Sequence, residues 1–396
     1  MRLTKMFGVL AAWSIASLAG AFQTSAGAEA SVVQPPAQGV GPTDAEPPER
    51  KTRNVILCIV DGLRWQELFA GADEALFTEA AGGVKNDTAV REKFWRSTPE
   101  ERRGALMPFF WSVVATRGIV YGDRNRGAPG RVVNEYAVSY PGYLETFCGF
   151  PEAAIKDNKR IMNPHVTVFE WLNGMKEYNG RVAAFTTWDL FPWILNVERS
   201  KLPVDDGIKP CTFGRTTPRI EFINRLRGET PRRWGGSHFD SMTFHVMMEW
   251  VEVNRPRVMF FGLGETDEWA HETDYEKYLD AARRTDQYWK ELWEMLQKDP
   301  QYKDQTTILF TCDHGRGDNS KSPDDWSNHG AKHPGSDQWW VAVMGPDTPP
   351  VGVVSDHEMV TQSQVAATIA WALGLDWCEK EPRAGRPLQG AVVEAK

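Results

Sequence analysis

The chain has 396 residues, enough for one large domain or two ordinary ones. With 41% apolar and 25% charged residues it has the composition of a soluble globular protein. A net charge of −8 argues against a general nucleic-acid binder but leaves room for a small anionic substrate, because a local field can oppose the net charge.

The first element is "MRLTKMFGVLAAWSIASLAGAFQTSAGAEA". Arg2 and Lys5 precede an apolar run from Phe7 to Ala21, and Ala26-Gly27-Ala28 offers a small-residue cleavage site. This is the pattern of a signal peptide over residues 1–28. The run is short for a membrane span, and no later stretch is long and apolar enough for one. The expectation is a secreted or periplasmic protein with no stable membrane insertion after cleavage. Residues 29–52 are rich in proline and small side chains and read as a disordered leader.

From residue 53 onward, short continuous apolar runs recur. They are "RNVILCIVDG", "RVAAFTTWD", "RVMFFGLGETD", "TTILFTCDHG" and "QWWVAVMGP". Continuous rather than alternating apolarity marks strands covered on both faces. Helical stretches lie between them: "TVFEWLNGMKEY", "FDSMTFHVMMEWVEVN", "DYEKYLDAARRTDQYWKELWEMLQK" and "TQSQVAATIAWALGL". The alternation predicts an α/β fold with a mostly parallel central sheet sandwiched by helices. Two segments, near 72–130 and 197–236, interrupt it and read as inserted cap loops over the strand ends, where ligands bind in such sheets. The arginines and lysines of 197–236 suit either an anion or a solvated surface.

Cys58 and Cys312 fall inside predicted strands, as small buried apolar groups do. In an oxidising compartment Cys148, Cys211 and Cys378 have room for one disulfide, though sequence cannot pair them.

The strand ends carry the chemistry. The first run ends in Asp61. "GETDEWAHETD" carries Asp267 and His271, "CDHG" carries Asp313 and His314, and "DDWSNHGAKHPG" carries His329 and His333. Taken singly, Asp61 and Asp267 are ordinary turn or cap residues, and His271 an ordinary surface histidine. Asp313-His314 is harder to place so, since a buried polar pair needs partners. Together, carboxylates and imidazoles suit zinc and similar divalent ions. They exceed one tetrahedral site and fit two ions, which at about 4 Å apart clamp both oxygens of an in-line displacement. "NEYAVSYPGYLETFCGF" supplies a nucleophile: Ser139 stands before Tyr140-Pro141-Gly142 at the start of a helix, where backbone N–H groups can meet an anion. A serine needs metal activation to attack.

In their order, Asp61, Ser139, Asp267/His271, Asp313/His314 and His329 resemble the alkaline phosphatase superfamily, and within it the nucleotide pyrophosphatase/phosphodiesterase-like branch. The resemblance implies two divalent metals, zinc being usual. Asp61, Asp313 and His314 would hold one beside Ser139. Asp267, His271 and His329 would hold the other, with His333 as the fallback for His329. It implies an exported hydrolase of phosphate mono- or diesters that works through a metal-activated Ser139 and a phosphoserine intermediate. The partner is a small anionic ester.

Two departures bear on this. The branch typically carries Thr-Phe-Pro-Asn-His at the nucleophile, whereas this chain has Ser139-Tyr140-Pro141-Gly142-Tyr143, without the asparagine donor. The absence of Cys-x-Pro-x-Arg argues against a formylglycine sulfatase. Substrate-binding residues are not legible; Arg316 is the candidate for holding the anion, and a surface loop residue is its plain alternative. The rival readings are a sulfate-ester or phosphonate hydrolase on the same scaffold, and a non-catalytic periplasmic metal-binding protein.

Overall fold

The structure, a computed structural model, describes residues 50–393. The signal peptide and most of the leader lie outside the described residues. Among the described residues eleven strands form: β1 (Asn54–Val60), β2 (Ile119–Tyr121), β3 (Gly130–Arg131), β4 (Val182–Phe185), β5 (Val204–Asp205), β6 (Val258–Leu263), β7 (Thr306–Thr311), β8 (Gln338–Trp339), β9 (Val341–Met344), β10 (Gly352–Val353) and β11 (Val360–Thr361). Eight of them make the central sheet, in the order β10-β2-β9-β7-β1-β6-β4-β5. β1 pairs in parallel with both β6 and β7, and β9 is antiparallel to both its neighbours. The sheet is therefore mostly parallel, as its uninterrupted apolar runs require: β1, β6 and β7 are buried at every position.

Helices follow the expected spans. Asp240–Asn254 and Tyr275–Lys298 match their amphipathic stretches, and Val365–Ala372 lies near the C-terminus. Val168–Asn173 stops short of its predicted end, at Gly174. Among the described residues no helix is long and apolar enough to cross a membrane.

Three expectations are corrected. Segment 72–130 is not simply a cap: it builds helices such as Pro99–Leu106 and supplies strand β2 to the central sheet. Phe109 and Phe110 donate their backbone N–H groups to the Asp286 carboxylate on the long helix, tying the segment down. Segment 197–236 likewise supplies β5 and the helix Pro218–Glu229. Four of its arginines pair with carboxylates, Arg199 with Glu170, Arg219 with Glu249, Arg227 with Asp205 and Arg233 with Glu272. All five cysteines are free thiols, so no disulfide links Cys148, Cys211 or Cys378.

The Arg227–Asp205 pair is bidentate, with both bonds at 2.7 Å and both side chains 1% exposed. Breaking a buried pair strands the surviving charge. Arg227→Met is expected to cost about 3–5 kcal/mol of stability. An Arg227→Met/Asp205→Leu double variant should regain most of it in chemical unfolding. Equal losses in the single and double variants would contradict this account.

Candidate metal centre

β7, β1 and β6 lie side by side and run in the same direction, so their C-terminal ends share one edge of the sheet. Asp61 follows β1 directly, Asp313 and His314 follow β7, and Asp267 and His271 sit on the short helix Glu265–His271 that follows β6. Parallel strands collect ligands at such an edge. Residues more than 250 positions apart thus meet: Gly62 N–H donates to Asp313 Oδ1 at 3.0 Å.

Asp61, Asp313 and His314 are buried, and one ligand atom from each lies within 4.8 Å of the others. His314 Nε2 is 3.5 Å from Asp61 Oδ1 and 3.3 Å from Asp313 Oδ2. Ligands at 2.0–2.1 Å around a tetrahedral zinc would stand about 3.3 Å apart, a spacing these two distances match. The His314 ring faces Gly315 O with Nδ1 at 2.9 Å, which puts the proton there and leaves the Nε2 lone pair free. Asp313 Oδ1 accepts from Gly62 N and His314 N, while Tyr143 O–H donates to Asp61 Oδ2 at 3.0 Å. The remaining oxygens, Asp61 Oδ1 and Asp313 Oδ2, are buried without a hydrogen-bond partner. Orphaned carboxylate oxygens facing one imidazole nitrogen fit a divalent cation.

Electrostatics agree. Burial, reinforced by the negative charges of Asp313 and Asp267, pushes the Asp61 carboxyl well above the usual range. Burial also raises Asp313. Among the described residues no arginine or lysine pairs with either carboxylate, and a dication would supply the positive charge they lack from such partners.

The second group is looser. Asp267 and His329 come together with His314, within 4.8 Å. His271, at the more exposed rim, places Nε2 3.1 Å from Asp267 Oδ2 and 3.1 Å from His329 Nε2. His329 Nδ1 faces Ala137 O at 3.2 Å, and its ring stacks on His314 with centroids 3.9 Å apart. Burial and the His314 ring hold the His329 imidazole well below its usual pKa, and so neutral. Burial would raise Asp267, but Arg316 and the two imidazoles outweigh it and hold its carboxyl well below the usual range. His333 stands apart, bonded through Nδ1 to Asp325 Oδ1 at 2.6 Å.

Ser139 is the first residue of the helix Ser139–Cys148. Its Oγ lies 3.2 Å from His314 Nε2, against the first group. Just before it, Ala137 is held at φ 46°, a left-handed conformation that costs about 1–3 kcal/mol in a non-glycine residue. The helix start is a narrower anion site than its sequence implies. Tyr140 N–H is taken by Asn158 Oδ1 at 2.9 Å, Pro141 has none, and Gly142 N–H closes on Val138 O.

The missing asparagine has a steric reason. A Cβ on Gly142 would lie 2.5 Å from the Asp313 carbonyl oxygen, so no side chain fits there. The residue that sequence reasoning missed is Asn158. Its oxygen is fixed by the N–H of Tyr140, the residue after Ser139, which leaves its NH2 on an exposed side chain. Arg316 is not a substrate anchor: it is fully buried and bonded to Trp326 O, Ser327 O and Asp267.

No protein-family model and no curated relative matches the sequence. Solved structures do match in fold. Alkaline phosphatase PafA aligns with a TM-score of 0.55 at 10% identity, over 87% of this chain and 99% of that one. The lipoteichoic acid synthase LtaP from Listeria monocytogenes aligns at 0.52 with 11% identity, over 84% and 74%. BT1596, a 2-O GAG sulfatase, aligns at 0.51 with 11% identity, over 89% and 76%. The mostly parallel central sheet with its helical layers is therefore the fold of these alkaline phosphatase-like structures.

Proposed function

We propose that the chain is an exported hydrolase of phosphate esters with two divalent ions, zinc for preference, and Ser139 as its nucleophile. Export rests on the charged and apolar pattern of residues 1–28. The observation that carries the chemistry is Ser139 Oγ, at a helix start, 3.2 Å from His314 Nε2 and beside the orphaned oxygens of Asp61 and Asp313.

Asp61, Asp313 and His314 would hold one ion; Asp267, His271 and His329 would hold the other. Bound there, divalent ions would lower the serine pKa and neutralise charge on the transferring phosphoryl group. Ser139 Oγ forms the new bond to phosphorus, the bond to the leaving oxygen breaks, and that oxygen departs with its electron pair and gains the proton the serine lost. Water then cleaves the phosphoserine, releasing phosphate or its monoester and restoring the hydroxyl. The helix fixes the approach of Oγ, and the buried flank at Tyr143 keeps water away from Asp61.

Asn158 would donate its NH2 to a non-bridging oxygen, the role left vacant at Gly142. Asn158→Ala is expected to lower kcat/KM by roughly 10²-fold, as loss of one such donor does elsewhere, with metal content unchanged. Asn158→Asp should be worse than alanine, because it adds a negative charge and removes both donors. Wild-type kinetics in the alanine variant would remove this assignment.

A panel of aryl phosphate mono- and diesters and aryl sulfates, given to metal-replete protein, tests the whole reading. Phosphate-ester turnover supports it. Turnover of sulfates alone would favour the sulfatase alternative, and no turnover of any ester would favour a non-catalytic metal-binding protein.

A further inference from the structure

We infer that the two ion sites are unequal: Arg316 makes the Asp267, His271, His329 site the weaker one, filled only after the Asp61, Asp313, His314 site. This rests on the two-metal reading above.

Arg316 reaches into the second site alone. It is fully buried, and Nε and Nη2 are anchored on Trp326 O and Ser327 O. Nη1 donates to Asp267 Oδ1 and Nη2 faces His271 Nδ1 at 3.4 Å. The chain leaves room for it. Gly62, at φ 62°, has no Cβ, and one there would stand 2.7 Å from Arg316 Nη1 and 2.8 Å from Asp267 Oδ1. No arginine or lysine pairs with Asp61 or Asp313 among the described residues. One donor set therefore offers two uncompensated carboxylates. The other offers one carboxylate, already matched by a fixed positive charge that repels an arriving dication.

The imidazoles differ in the same sense. A ligating histidine ordinarily gives its second N–H to a carbonyl or carboxylate. His314 Nδ1 faces Gly315 O and His329 Nδ1 faces Ala137 O, so both leave Nε2 without a proton. His271 Nδ1 faces a guanidinium, which only donates. Nδ1 must then accept, and the proton sits on Nε2, the nitrogen an ion needs. Loading the second site requires His271 to give up that arrangement.

The test is a titration of metal-free protein with zinc against a chromophoric chelator, which reads affinity without activity. Two steps are expected, at least about tenfold apart, the scale on which groups behind the ligands tune affinity. Asp267→Asn should abolish the weaker step and leave the tighter one. Arg316→Gln should tighten the weaker step by about tenfold or more. Since Arg316 also secures two carbonyls, Arg316→Met and the wild-type and Asp267→Asn titrations keep the test decisive if the glutamine variant folds poorly. Two equal steps, or loss of the tight step in Asp267→Asn, would overturn the inference and leave the two-metal reading intact. No zinc bound at either site would overturn that reading itself.

Discussion

Ser139→Ala is expected to keep its bound ions and lose on the order of 10⁴–10⁶-fold in turnover of an aryl phosphate, the scale of loss when an activated nucleophile is removed. The fold should survive the change. Ser139 caps nothing: Val138 is the N-cap residue and the serine side chain makes one contact, to His314 Nε2. Alanine is also at home in the first turn of a helix. The loss would therefore be chemical, not structural, and circular dichroism with metal analysis can separate the two. Ser139→Thr should keep part of the activity, since the hydroxyl remains. Rapid quench with a labelled phosphate ester should trap phosphoserine at residue 139. Label on another side chain, or undiminished turnover in Ser139→Ala, would end the covalent mechanism.

Much of this site is legible in the sequence, because its parts sit at the ends of strongly patterned elements. β1, β6 and β7 are unbroken apolar runs, so the polar residues that end them stand out. The long helix Tyr275–Lys298 is legible from its amphipathic stripe. Strands of two residues are not, since β3, β5, β8, β10 and β11 are too short to show any period. For the same reason "QWWVAVMGP" reads as one strand, whereas β8 leaves it for a second, three-stranded sheet. Asn158 and Arg316 were illegible for a different reason. Asn158 reaches the backbone of Tyr140, next to Ser139, through a loop that returns 18 residues later. Arg316 reads as an anion holder or a surface residue because nothing in a sequence shows that its donors are engaged within the fold. The arrangement of partners, not residue type, decides both roles.

Asp313→Asn is expected to melt above wild type without metal and below wild type with metal. Asp313 is fully buried; its Oδ1 accepts from Gly62 N and His314 N, and its Oδ2 has no partner. An asparagine oxygen can keep the two backbone bonds, so the turn after β7 should hold, whereas alanine would strand both N–H groups at about 1–3 kcal/mol each. The amide is neutral and a poor ligand, so the first ion should be lost and activity with it, and metal content should drop by one equivalent. With a chelator present, wild type must bury Asp61 and Asp313 against each other, which is why burial and mutual repulsion raise Asp61 so far. Asp313→Asn relieves that repulsion, so metal-free variant should melt above metal-free wild type. With zinc in excess the order should invert, because wild type gains the free energy of ion binding and the variant gains less. His333→Ala serves as the control: His333 is engaged with Asp325 and should change neither metal content nor this inversion. If chelator leaves wild type and Asp313→Asn melting in the same order as zinc does, these carboxylates are not held apart for a cation.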